Sequence, residues 1–426
     1  MTGGAAAAPP GRGAAFSWCL FDFANSGYPT VVATFVFSAY VTKAVAATPE
    51  AGTAAWGYAM GASGLLIALL APIFGAVADH SGRRKPWLGL FSLLCVASTA
   101  LMWTIRPDPA FLLAALALAA LSNAAFEIGG VFYNAMLPDV TTPERMGRLS
   151  GWAWGLGYAG GLACLVIALL ALVQADPPPF GLDKAAAEPV RATLVLVALW
   201  FLVFGWPLFA FVPERPTGRV LALGAAARGA IDSLKGLPAL FRGDPRLGWF
   251  LLARMLYTEG LNTLFAFGGI YAAGTFDMSF DQIILFGIGL NITAGLGAFA
   301  FGWIDDWLGS PRTIVVGLIG LIGFCVAVLL VEDTAWFVGL ALTMGIFFGP
   351  VQAASRTHIA RIAPPDRRGE LFGLFALTGK ISAFAGPLAV GLATDLSGSQ
   401  RLGMATVVVF LVAGLGLLVK TRAPRG

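Results

Sequence analysis

Charge is what this sequence has least of. Asp, Glu, Lys and Arg make up 12% of its 426 residues, against about 25% in an average soluble domain. So few charges cannot clothe the surface of a water-soluble fold of this size, whereas a surface facing lipid needs none. Histidine is almost absent: His80 and His358 are the two, and no His-Glu-x-x-His pair exists to build a zinc hydrolase. The four cysteines, Cys19, Cys95, Cys164 and Cys325, each stand alone in an apolar run, which argues against a disulfide framework or a metal site. Long polar stretches are missing too. The longest, 212–247, is too short for a catalytic domain. Gly373…Gly379-Lys380-Ile381 superficially resembles a phosphate loop, but its spacer is one residue too long and Ile replaces the needed hydroxyl. The sequence therefore predicts no enzyme, no cofactor and no metal. It also lacks a signal-peptide cleavage site after its first apolar run, which carries Asp22 and Asn25 and reads as a retained helix.

What the chain does have is apolar length. Hydrophobic residues reach 58%, and 54 glycines permit close helix approach where no hydrophobic force joins helices. A spanning helix needs about 20 apolar residues. Runs of that kind fall near 16–42, 54–78, 87–105, 110–135, 150–173, 192–211, 248–272, 282–303, 313–331, 335–358, 370–394 and 402–419. The expected fold is an all-α membrane protein of twelve helices. Residues 1–15, rich in Ala, Gly and Pro, are expected to be disordered. Residues 16–211 form a first six-helix bundle, 212–247 a linker, 248–419 a second bundle and 420–426 a tail.

The net charge of +4 is explained by where Lys and Arg fall. Nineteen of the 27 lie before helix 1, in alternate loops, or after helix 12; Lys43, Arg106, Lys184, Arg191 and Arg401 lie on the opposite face, and Arg254, Arg356 and Lys380 inside helices. That bias predicts both termini in the cytoplasm. The basic loops are short and lack the interleaved aromatics of a nucleic-acid surface, so no nucleic-acid partner is expected.

The chain is internally duplicated. Gly75-Ala-Val-Ala-Asp79-His-Ser-Gly82-Arg83-Arg84 follows helix 2, and Gly302-Trp-Ile-Asp-Asp306-Trp-Leu-Gly309-Ser-Pro-Arg312 follows helix 8 with the same Gly-x3-Asp-x2-Gly spacing. Pro143-Glu144-Arg145-Met-Gly147 with Gly151 precedes and enters helix 5, and Pro365-Asp366-Arg367-Arg-Gly369 with Gly373 does the same for helix 11. Two parallel six-helix halves are a common plan of secondary transporters, with the substrate path between them.

The loop after helix 2, and its weaker copy after helix 8, resemble the signature loop of the major facilitator superfamily. The resemblance implies a conformational latch built from Gly75, Asp79, Gly82, Arg83 and Arg84, with Asp306 and Arg312 as second-half counterparts. The second copy departs from the pattern: Ser310-Pro311 replaces the basic pair. A narrower resemblance lies in Trp18-Cys-Leu-Phe21-Asp22-Phe-Ala24-Asn25-Ser26-Gly-Tyr28 and in Leu137-Pro138-Asp139…Pro143-Glu144-Arg145…Gly147-Arg148-Leu149-Ser150-Gly151…Gly157-Tyr158. These are similar to the vacuole-effluxer-like branch of that superfamily, the branch of the autophagy-related amino-acid effluxers. The branch implies efflux of small polar solutes such as amino acids.

Ionisable side chains inside the hydrocarbon cost about 2.5–3.5 kcal/mol on insertion scales and usually line a cavity or pair. Here they gather on the first and fourth helix of each half. Asp22, Asn25 and Ser26 share a face of helix 1; Asn123, Glu127 and Asn134 one of helix 4; Arg254, Thr258 and Asn262 one of helix 7, with Tyr257 and Glu259 beside it; Gln352 and Arg356 one of helix 10. Lys380 lies midway along helix 11. In the superfamily these first and fourth helices line the central cavity, so the predicted cavity set is Asp22, Asn25, Tyr28, Asn123, Glu127, Arg254, Tyr257, Glu259, Asn262, Gln352, Arg356 and Lys380. Its mixed sign suits a zwitterion. Glu127 is the candidate proton carrier, because desolvation favours the neutral form of a carboxyl.

The expected partners are a small-molecule substrate, protons as coupling ion and membrane lipid, with the chain monomeric. Alternating access between the halves is the expected mechanism. The same fold hosts lipid flippases and multidrug exporters; an aromatic cavity would favour those, and paired opposite charges would favour amino acids. A sensing receptor would need a signalling tail, which the sequence does not suggest. The Arg-over-Lys and Ala/Gly bias points to a bacterial inner membrane.

Overall fold

The computed structural model describes residues 11–420, except 82, 215–223, 226–227, 229–230, 233–234 and 236. Among the described residues the regular structure is helical. Among the described residues, nine helices are long and apolar enough to cross a membrane. We number the membrane helices α1 (12–45), α2 (Pro49–Ser81), α3 (Lys85–Leu101), α4 (Leu112–Ala135), α5 (Met146–Ile167), α6 (Glu188–Phe211), α7 (Pro245–Phe276), α8 (Phe280–Leu308), α9 (Ser310–Leu330), α10 (Thr334–Ile362), α11 (368–397) and α12 (Gln400–Lys420).

The helices outside those nine are α1, α7 and α11. They fit the remaining places of the twelve expected, and they are where regularity or apolarity fails. Beyond Asn25, α1 passes into π-helical turns at Tyr28–Phe35 and Val41–Val45; Pro29, which has no N–H to donate, stands at the start of the first. Helix α7 carries Arg246, Arg254 and Glu259. Helix α11 consists of Arg368–Thr378 and Ala385–Ser397, separated by irregular turns.

Most helix boundaries fall within a few residues of those expected. Residues 12–15, expected to be disordered, form the first turn of α1, because Ala14 is buried in the core. The rest of that expected tail, 1–10, lies outside the described residues, as do 421–426 and much of the 212–247 linker.

Glycine makes two close crossings between the halves possible. At Gly75 and Gly369, α2 meets α11 so closely that a Cβ on either glycine would run into the other's carbonyl oxygen. Helix α5 meets α8 at Gly151, whose added Cβ would strike the Ala298 carbonyl. The repeat matches α2 with α8 and α5 with α11, so an approximate two-fold relation exchanges the two crossings. Without a hydrophobic force between helices, such backbone contact is what holds them.

Candidate functional site

A cavity of about 490 Å³ lies between the halves. Its wall comes from α1, α4, α5, α7, α8, α10 and α11. Five acidic or basic side chains face it: Asp22 and Glu127 from the first half, Arg254, Arg356 and Lys380 from the second. The acids and bases thus stand on opposite sides, and at the cavity two ion pairs cross between the halves.

The first pair is Lys380 with Glu127, Nζ to Oε1 at 2.7 Å. Both side chains keep about a quarter of their surface, 28% and 27%, so water or a solute reaches them. The second is Arg356 with Asp22 at 2.9 Å, with side chains 4% and 14% exposed. Arg356 is held on every side. Its Nε donates to Ser150 Oγ at 2.9 Å, Nη2 to the Ser150 carbonyl at 2.7 Å, and Nη1 also approaches Asn134 Oδ1 at 3.4 Å. The rings of Trp18, Tyr133 and Trp154 surround the guanidinium at 4.9–5.8 Å, a favourable arrangement for a desolvated cation. The Arg356–Asp22 pair therefore seals the cavity floor, and the Lys380–Glu127 pair stays open to ligand.

Below that floor, toward the chain termini, a polar network closes the two halves. The Asp79 carboxylate accepts from Gly369 N–H at 2.8 Å and Glu370 N–H at 2.9 Å, which caps the N-terminus of α11 from the other half. The Asp306 carboxylate accepts from Gly147 N–H at 2.8 Å at the start of α5 and pairs with Arg148 at 3.5 Å. Asp139 binds Arg84 at 2.8 Å and Arg368 at 3.2 Å. In the second half Arg361 holds Asp305 at 3.1 Å, Asp306 at 3.3 Å and Ser310 Oγ at 2.7 Å. These polar links gather at one end of the molecule, so the structure is closed toward the termini.

Of the predicted cavity residues, Asp22, Asn25, Glu127, Arg254, Asn262, Gln352, Arg356 and Lys380 line the wall. The structure places the other four outside it. Tyr28 is buried, bonded to Ser122 at 2.7 Å and stacked on Phe126. Asn123 donates to Ser63 at 3.0 Å. Tyr257 meets Ser355 at 2.7 Å, and Glu259 is 1% exposed among α11 groups. Each lies on a polar helix, but a 3.6-residue turn points some of that polarity at a neighbouring helix rather than at the cavity.

Among the predicted latch residues, Gly75, Asp79, Arg84 and Asp306 belong to the closed network. Arg83 and Arg312 are exposed, and Gly82 lies outside the described residues. Sequence reasoning passed over Asp139, Asp305, Arg361 and Arg368. Three of these sit at loop edges, where basic residues read as topology signals and Asp139 as a helix end. It also passed over most of the aromatic wall: Phe35, Phe126, Phe265, Phe348, Phe372 and Phe375, with Trp154. Aromatics are spread along every membrane helix, so nothing in the sequence distinguishes these. Thr258 Oγ1 and Trp154 Nε1 are buried polar atoms without a hydrogen-bond partner among the described residues.

The model of a family described as vacuole effluxer Atg22 like matches residues 51–426. An uncharacterized MFS-type transporter of Bacillus subtilis (strain 168), YxiO, is 29% identical, over 94% of this chain and 93% of its own. Autophagy-related protein 22-1 of Penicillium rubens is 26% identical over 66% of this chain; the chain spans about half, 50%, of that relative's length. Among solved structures, the human organic anion transporter MFSD10 superposes with a TM-score of 0.76 at 18% identity, covering 96% of this chain and 100% of the other.

Proposed function

The chain belongs to the vacuole effluxer Atg22-like family of major facilitator transporters, and from that premise we propose that it moves a small zwitterion, an amino acid with an apolar or aromatic side chain, by alternating access. The Lys380–Glu127 pair carries this reading. It is a partly exposed pair of opposite charges inside a cavity, each arm on a different half. A substrate ammonium would take the place of Lys380 beside Glu127, and a substrate carboxylate the place of Glu127 beside Lys380. The aromatic wall would receive the side chain, which joins the two features that separately favour amino acids and apolar cargo.

Coupling follows from the same pair. A proton taken up by Glu127 removes the charge that holds Lys380, and so links the proton to the contact between the halves. The polar network around Asp79, Asp139, Asp306, Arg84, Arg361 and Arg368 acts as the cytoplasmic latch, with Gly75 and Gly369 as its pivot. The positive-residue bias supports both termini in the cytoplasm, here in a bacterial inner membrane, so that the present closed end faces the cytoplasm.

The experiment is a thermal-shift screen of purified protein against amino acids, followed by counterflow and proton-driven flux in liposomes. Binding at a hundredfold excess over Kd stabilises the folded state by about 2.7 kcal/mol. Leucine, phenylalanine and similar amino acids should raise the melting temperature, and Glu127→Gln should lose proton-driven flux, with counterflow weakened as well because Glu127 also receives the substrate ammonium. Unchanged proton-driven flux in Glu127→Gln ends the coupling assignment. The aromatic wall also supports a second reading, a lipid or drug exporter. Stabilisation by amphiphilic cations or lipids alone, with no response to amino acids, would favour it.

A further inference from the structure

The break in α11 is gripped from both sides by a single helix. Helix α7 offers two charges of opposite sign, five residues apart, or about 7.5 Å of helix rise. Arg254, nearer the closed end, donates through Nη1 to the Phe375 carbonyl and to Thr378 Oγ1 at 2.7 Å. These groups belong to the last turn of Arg368–Thr378. Glu259 accepts from Gly386 N–H at 2.8 Å through Oε1 and from Ser382 Oγ at 3.1 Å through Oε2. Gly386 is in the first turn of Ala385–Ser397.

The signs match the electrostatics of the two half-helix ends. A helix C-terminus bears unsatisfied carbonyls and attracts a cation; an N-terminus bears unsatisfied N–H groups and attracts an anion. Inside a membrane such groups have no water to turn to. A cation meets the end of the first half-helix and an anion the start of the second, both from α7. Gly386 has no Cβ because Thr263 and Glu259 fill the space where one would lie. Lys380 lies between the two grips, in the turns that join the half-helices, and points across the cavity to Glu127 at 2.7 Å.

We propose that Glu259 is a positioning residue: with Arg254 it fixes the break in α11, and the break presents Lys380 to the opposite half. Glu259 itself touches neither the cavity nor Glu127. Its carboxylate is spent on the second half-helix, which explains why a membrane-buried acid, 1% exposed, is tolerated there. The proposal rests on the reading of Lys380 as a cavity charge, but its test requires no substrate.

Hydrogen–deuterium exchange of the full-length protein in detergent reads the break directly. Glu259→Ala should raise exchange across 380–388 by about tenfold, the scale of losing a charged acceptor, with α2 and α5 unchanged. Glu259→Gln, which keeps an acceptor for Gly386, should stay within about threefold of the parent. Ser382→Ala, a milder change that leaves Gly386 bonded, guards against a folding defect and should give an intermediate rise. A second readout separates positioning from bare stability. In a Lys380→Cys background, with the four native cysteines buried, a cationic water-soluble thiol reagent should label position 380 about tenfold more slowly once Glu259→Ala is added. Adding Glu259→Gln instead should restore the rate. Unaltered exchange over 380–388 in both Glu259→Ala and Ser382→Ala overturns the proposal, as does labelling of Lys380→Cys that ignores Glu259. Neither outcome bears on whether amino acids are carried.

Discussion

Asp79 accepts the Gly369 N–H at 2.8 Å, and its repeat counterpart Asp306 accepts the Gly147 N–H at the same 2.8 Å. Each carboxylate thus caps a helix of the opposite half, and each cap must open if that end of the molecule is to open. Removing one leaves the capped N–H groups without a partner only while the halves stay closed, so the loss falls on the closed state. Asp79→Ala should shift the conformational equilibrium toward opening at the terminal end by about tenfold. Electron-spin distances between labels at the exposed positions Glu144 and Trp307, one in each half, would show a longer population. Asp306→Ala should do the same; an unchanged distribution in both would remove these caps from the latch.

The glycine crossing leads to a stricter version of that test. Gly75 and Gly369 leave no room for a Cβ while α2 and α11 touch, and the three atoms nearest a Cβ on Gly75 all belong to α11. Gly75→Val should therefore lengthen the Glu144–Trp307 distance more than Asp79→Ala does, since steric overlap cannot be relieved by a rotamer change. Gly57, around which nothing lies within 4 Å, is the control, and Gly57→Val should leave the distance as it is.

The second-half basic pair is missing from the sequence, and its work is done from another helix. Arg361, at the end of α10, binds Asp305, Asp306 and Ser310. Arg312, the residue that spacing nominates, is exposed. Arg361→Ala should lower the melting temperature and loosen the closed end, because it leaves Asp305, 3% exposed, without its ion pair and takes one of two arginines from Asp306. Arg312→Ala should change stability by no more than about 0.5 kcal/mol. Equal effects from the two would refute the assignment.

The contrast between Arg361 and Arg312 marks the limit of what the sequence discloses. Hydropathy reveals the apolar helices because lipid imposes one rule on all of them. The repeat reveals Gly75, Asp79, Gly147 and Gly151 together with Gly302, Asp306, Gly369 and Gly373. What it leaves hidden is that these landmarks meet one another, Asp79 with Gly369 and Asp306 with Gly147, because spacing along the chain carries no record of which helices cross. Polar helix faces disclose Asp22, Glu127, Arg356 and Lys380 as cavity groups by their cost in lipid. The same cost also falls on Glu259, which faces another helix, and one turn of rotation is below what a pattern resolves. The break in α11 comes just before Pro387, which has no N–H to continue the helix and stands in the first turn of Ala385–Ser397; a proline marks the place, but not the side chains of α7 that hold it.

Arg356 yields the most exacting prediction, because every nitrogen of its guanidinium is used: Nη1 on Asp22, Nε on Ser150 Oγ and Nη2 on the Ser150 carbonyl. Lysine would keep the charge and could reach Asp22, but it has no planar fork to bond Ser150 twice or to lie against Trp18. Arg356→Lys should therefore lose most of what Arg356→Met loses. Leaving Asp22 unpaired should cost about 3–5 kcal/mol, whereas Asp22→Asn in the Arg356→Met background should recover part of it, with a coupling of at least about 1 kcal/mol. Denaturant unfolding of the four proteins in detergent would measure the cycle. Because the pair spans the halves, it should also be conformation-dependent. In a form trapped open at the terminal end by Gly75→Val, the coupling between positions 22 and 356 should fall toward zero. A coupling that persists at full size there would mean that Arg356 and Asp22 move together as one body, and the floor of the cavity would have to open elsewhere.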